Sequence, residues 1–91
     1  MDGAKIESLI VAAIPDARVD AADLQGGDHF EVTVVAETFA GRSFVDRHRM
    51  VYAALGDAMK REIHALTIRA MTPAEHERDD RSGRVDRIER S

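Results

Sequence analysis

A chain of 91 residues has room for one domain built around one core. It sets 17 acidic against 13 basic side chains, a formal net charge of −4, which excludes a global basic field for nucleic acid. It has no cysteine, which excludes disulfides, thiolate ligands and a cysteine nucleophile, and it has no apolar run near the roughly 20 residues of a membrane span. With no signal-peptide pattern at the N-terminus, the expectation is a small acidic cytoplasmic protein with no membrane association.

The first element is an amphipathic helix. Ile6, Leu9, Ile10 and Ala13 recur at i, i+3, i+4 and i+7, and Pro15 ends the pattern because it lacks an amide hydrogen and disfavours helix in the residue before it. Ala17, Val19 and Ala21 then share one face of a short strand. Gln25 to Asp28, with Gly26 and Gly27 at its centre, reads as a turn. A second strand follows, with Phe30, Val32, Val34 and Ala36 on one face and Glu31, Thr33, Val35 and Glu37 on the other. Two strands joined by a glycine-rich turn predict a hairpin.

Gly41 breaks the strand pattern. Ser43 with Asp46 three residues later is a helix-start signature, and the helix it opens is predicted to end near Lys60. Its apolar stripe is read as Phe44, His48, Val51, Leu55 and Met59. From His64 the period returns to two, with Leu66, Ile68 and Ala70 on one face. Thr72 to Glu75 forms a second capping box, with Pro73 at the first helical position, where its missing donor costs least. Residues 79–91 hold only Val85 and Ile88 as sizeable apolar side chains, so the expectation is a domain over 1–78 and an Arg-rich flexible tail beyond it.

The order is α-β-β-α-β-α, an α+β chain. The long helical connection before the third strand predicts a parallel crossover, and hence a mixed three-stranded sheet with helices on one face. Parallel pairing of strands two and three brings their starting ends to one edge. His29 precedes the second strand and His64 opens the third, so two imidazoles meet there, and imidazole is a good ligand for iron, zinc or copper. Two ligands make an incomplete site, which a partner must complete. The residues alone leave a plainer alternative: His64 shares parity with Leu66 and Ile68, and His29 is a polar turn residue.

Arg42, Arg47, His48 and Arg49 cluster at the start of the long helix. They read either as a solvated helix rim or as a surface for an acidic partner, carboxylate or phosphate. Positions 47 and 49 lie about 200° apart on a helix, so they do not form one flat basic face. On the apolar stripe, His48 is expected to be packed, and His76 is read as a solvated surface residue. No nucleophile elbow, phosphate-binding glycine loop or HExxH sequence occurs, so a non-enzyme is expected.

The run Glu62 to Ile68 with His64 near its start, the capping box Thr72 to Glu75, and the stretch from Phe39 to Gly41 followed by Asp46 to Tyr52 together resemble the BolA family. Their order and spacing hold over roughly residues 5 to 78. The resemblance implies the BolA-like fold, related to the second type of KH domain. It also implies an accessory protein of iron–sulfur cluster assembly, trafficking or iron sensing. On that reading the chain pairs with a monothiol glutaredoxin and its glutathione, and supplies His64 and His29 to a shared [2Fe-2S] cluster, with none bound by the chain alone. The alternative it implies is a DNA-binding transcriptional regulator of stress response and cell morphology, acting through the Arg47 to Arg49 region. No GXXG loop is present for KH-type nucleic-acid binding, and base-stacking aromatics are few, with one Tyr and three Phe. Whether the chain forms a homodimer stays open.

Overall fold

The computed structural model of the protein describes residues 2–25, 29–61 and 65–78. The first helix, α1 (Gly3–Ala13), starts where the Asp2 carboxylate accepts from the Lys5 amide at 2.8 Å. That bond satisfies one of the donors a helix N-terminus leaves open. Ile6 and Ile10 are its buried residues, and the helix stops at Ile14, immediately before Pro15.

Strand β1 (Arg18–Gln25) pairs antiparallel with β2 (His29–Val35), with an irregularity between Asp23 and Gln25 that leaves Leu24 exposed. β1 is longer than the apolar alternation suggested, because its second half is held by the ladder to β2. The Gly26–Gly27 turn falls outside the described residues. β2 pairs in parallel with β3 (Ala65–Met71), giving one mixed sheet in the order β1-β2-β3.

The expected core face is the buried one: Phe30, Val32, Val34 and Ala36 are each almost wholly excluded from solvent. They pack with Ile6, Ile10 and Ile14 from α1 and with Val51 and Leu55 from α2 (Phe44–Leu55). Helices therefore cover one face, and the other carries Arg18, Asp20, Glu31, Thr33, Thr67 and Arg69. This is the usual division of a sheet with one wet side.

Two expectations for the long helix need correcting. It ends at Leu55, not near Lys60. Gly56 takes φ 55° and ψ −129°, outside any helical region, and the chain restarts as the short α3 (Ala58–Arg61). Its stripe is also rotated from the one read in the sequence. The buried positions are Arg47, Val51 and Leu55, whereas Phe44 is 70% exposed. A final helix, α4, spans residues 73–78, and residues 79–91 lie outside the described part of the chain.

Candidate functional site

Among the described candidate residues, His29 lies at one end of the sheet and Arg47 at the other. At the starting end, the register places His29 opposite Ala65, and Phe30 opposite Leu66. His29 is half-buried and shares the parity of Glu31 and Thr33, away from the helices. Ala65 is the first residue of β3, and His64, which precedes it in the sequence, lies outside the described residues, as do Glu62 and Ile63. Among the described residues, no three His, Cys, Asp or Glu side chains stand close enough to hold a metal ion. His29 is thus one nitrogen donor at a strand terminus, and any metal bound there needs ligands from elsewhere.

At the far end, five residues and about 16 Å along β3, a network closes around Arg47. Its Nε donates to the Arg42 carbonyl at 3.0 Å, and its Nη1 donates to the Ala70 carbonyl at 3.1 Å. Nη1 and Nη2 also grip the two carboxylate oxygens of Glu75 at 2.6 and 3.2 Å. The guanidinium lies 5.9 Å from the centre of the Phe39 ring and 5.4 Å from that of Phe44. This is a planar cation fixed by a bidentate acid and two aromatic faces.

The same carboxylate caps α4. Glu75 Oε1 accepts from the Thr72 amide at 2.9 Å, and the Glu75 amide donates to Thr72 Oγ1 at 3.2 Å. The capping box expected from Thr72 to Glu75 is therefore present, with Arg47 added as a third partner. The ion pair with Arg47, first, and the Thr72 amide, second, pull the Glu75 carboxyl from 4.5 down to about 2.

Arg47 was read with Arg42, His48 and Arg49 as part of a solvated rim or a partner surface; the structure corrects this. Arg47 is only 5% exposed, and its donors are engaged inside the fold. Arg49 points to solvent, 3.9 Å from Asp46, and Arg42 is exposed with its Nε on the Thr38 carbonyl at 3.3 Å. His48 is half-buried and His76 exposed. The role of Glu75 in holding Arg47 escaped the sequence reading. A signal was available, because Arg47 stands one turn before Val51 and two before Leu55, at the head of the buried stripe.

A second polar joint ties the turn after α1 to the short 3-10 turn Glu37–Phe39. Asp16 accepts from the Thr38 hydroxyl at 2.5 Å and from the Thr38 amide at 3.1 Å. The hydroxyl bond, followed by the amide bond, holds the Asp16 carboxyl below its ordinary value. Among the described residues, no helix is long and apolar enough to cross a membrane.

Comparison with known proteins agrees with this architecture. Protein BOLA2 of Arabidopsis thaliana is 43% identical over 72 residues, 76% of this chain and 76% of the relative. The DNA-binding transcriptional regulator BolA of Escherichia coli is 39% identical over 49 residues, 54% of this chain but only 47% of that protein. The structure of a BolA homologue from Coxiella burnetii superposes with a TM-score of 0.74 at 38% identity, covering 85% of this chain and 97% of its own. The profile described as BolA-like protein matches residues 11–75, and the chain belongs to that family.

Proposed function

We propose that the protein is an accessory factor of iron–sulfur cluster assembly, trafficking or iron sensing. It pairs with a monothiol glutaredoxin and its glutathione, and it lends His64 and His29 to a [2Fe-2S] cluster shared across the pair. The observation that supports this most is the parallel register, which sets His29 opposite Ala65, the residue next to His64 in the sequence. The donor chemistry fits half a site. A chain without cysteine offers imidazole nitrogens and no thiolate, so the sulfur ligands come from the partner. The shared cluster supplies electron transfer and transferable iron and sulfide, at a potential raised by histidine ligation relative to all-cysteine ligation. The chain's own residues set the position of the donors: β2 and β3 lie side by side at their starts, β2 opens with His29, and β3 opens with Ala65, the residue that follows His64 in the sequence. Imidazole leaves a metal on protonation, which suits release rather than storage.

The test is visible absorption and circular dichroism after mixing the chain with monothiol glutaredoxin, glutathione, iron and sulfide. Wild type, His64→Ala and His29→Ala are compared. The expected result is a heterodimer spectrum lost in His64→Ala and altered in His29→Ala. Spectra indifferent to both substitutions reject the proposal.

A DNA-binding regulator is the second reading, supported by the name of the E. coli relative. With Arg47 internal, its phosphate contacts fall to Arg42, His48 and Arg49. Duplex DNA binding by the chain alone, weakening steeply as salt rises, is the outcome that favours it.

A further inference from the structure

We infer, building on the shared-cluster reading above, that Leu24 anchors the partner that completes the site at His29. The partner meets it with an apolar patch bordered by a basic side chain. β1 and β2 hold one antiparallel register from Arg18 opposite Val35 to Asp23 opposite Phe30, and the next pair joins Gln25 to His29. Leu24 is the extra residue between these two pairs, the unpaired member of a bulge. A bulge re-aims the side chain it carries, and bulges gather next to functional sites. This one leaves Leu24 62% exposed.

A lone exposed leucine is ordinary on a protein surface, and place is what distinguishes Leu24. Among the described residues, the other large apolar side chains left exposed are Phe44, Val45 and Tyr52, and all three belong to α2. Leu24 lies instead at the sheet end that carries His29. It is one residue along β1 from the position opposite His29, which sets the two Cα atoms about 6 Å apart. A partner that supplies thiolate ligands to a metal held by His29 has to close over that distance. In doing so it removes Leu24 from water, and burying the exposed part of a leucine tightens the pair about tenfold.

The charge beside Leu24 and His29 sets the border of the partner patch. Glu31 is exposed and shares the face of His29, one step further along β2. Its row across the sheet is Ala22, Glu31 and Thr67, so Glu31 is the one charge in it. In the next row Asp20 and Arg69 flank Thr33 and balance in sign. Asp23, on the other side of the bulge, has a partner of its own and is not counted. A basic side chain facing Glu31 therefore complements this end of the sheet, and an acidic one is repelled.

The experiment titrates the whole chain, its leucine methyls labelled with carbon-13, with metal-free monothiol glutaredoxin and glutathione. The expected result is a Leu24 methyl shift that saturates with the partner, while the methyls of the buried Leu55 stay in place. Leu24→Ser raises the dissociation constant about tenfold, through faster dissociation. Glu31→Lys slows association about threefold, a difference that added salt removes. Tyr52→Ser binds as wild type does. His29→Ala keeps the metal-free affinity and alters only the spectrum of the cluster-loaded pair. Wild-type affinity in Leu24→Ser, with the cluster spectrum intact, overturns this proposal alone. A cluster spectrum without metal-free binding also overturns the anchor and leaves the shared site standing. Neither binding nor a cluster spectrum in the wild type overturns the shared site and the anchor together. Equal association of Glu31→Lys at every salt concentration overturns the basic border. A Leu24 shift that follows the chain's own concentration, without glutaredoxin, makes a second copy the occupant and overturns the proposal.

Discussion

Arg47 and Glu75, 28 residues apart, meet through two parallel N–H to oxygen bonds at 2.6 and 3.2 Å, and this pair joins α2, the end of β3 and the start of α4. Each partner is also fixed by main-chain groups: Arg47 by two carbonyls, and Glu75 by the Thr72 amide. Neither side chain can be replaced without leaving a polar group short of a partner in a closed region.

Arg47→Ala is therefore expected to destabilise the fold by roughly 2–3 kcal/mol, from the lost contacts of a buried guanidinium and the Ala70 carbonyl left without its donor; the half-exposed Glu75 carboxylate is rehydrated by water and adds little. Arg47→Lys keeps the charge but loses the fork geometry and the flat contact with Phe39 and Phe44, and should recover less than half of that loss. Urea unfolding of the three proteins provides the comparison. Equal stability of Arg47→Ala and wild type would remove the pair from any structural role.

Acid should loosen this corner first. The folded pKa of Glu75, about 2, lies below its ordinary 4.5, so the ionised form is favoured by folding. The stability it adds is complete above about pH 5 and is lost as pH falls from there toward 2. Glu75→Gln abolishes that part of the pH dependence and costs about 1–2 kcal/mol near neutrality. Chemical denaturation at a series of pH values measures both.

Gly56→Ala tests the break between α2 and α3. An added Cβ would find its nearest neighbour, the Ala53 carbonyl oxygen, at 3.9 Å, so crowding is absent. The cost comes from the backbone at φ 55° and ψ −129°, and should be about 1–2 kcal/mol. In a domain of this size that lowers Tm by roughly 4–16 °C.

Thr38→Val removes the hydroxyl that holds Asp16. The Asp16 carboxyl should then titrate closer to 3.8, with the Thr38 amide bond keeping part of the shift. A carbon-13 titration of the Asp16 carboxyl measures it. An unchanged titration would mean that the hydroxyl bond does not form in solution.

Most of the architecture was legible because it follows from periodicity and punctuation. Phe30, Val32 and Val34 alternate strictly, Ile6 and Ile10 lie one turn apart, and Ser43 and Thr72 announce the helices they cap; all these signals span fewer than eight residues. The errors occurred where tertiary contact overrode the local pattern. Phe44 was placed on the buried stripe by hydrophobicity, but a buried arginine held by an acid from the far end of the chain took that side. Gly56 stood in plain view, yet the apolar spacing from Leu55 to Met59 ran across it and concealed the break. For the candidate metal site, the residue types were legible in the chain and the register at His29 followed from the topology. The ligands that the proposal assigns to a partner would leave no trace in this chain.

The crossover between β2 and β3 also has a kinetic consequence. The hairpin pairs residues close in sequence, such as Asp23 with Phe30, whereas His29 and Ala65 are 36 residues apart. Closing the long loop costs more entropy than closing the hairpin and brings little reward until α2 has formed and packed. Addition of β3 is thus expected to be a late step of folding, the one that delivers Glu75 to Arg47. Until then the outer edge of β2 is bare and Arg47 lacks its acid. If the pair forms after the rate-limiting barrier, Arg47→Ala is expected to speed unfolding and leave the folding rate nearly unchanged, which folding and unfolding rates across a urea series measure.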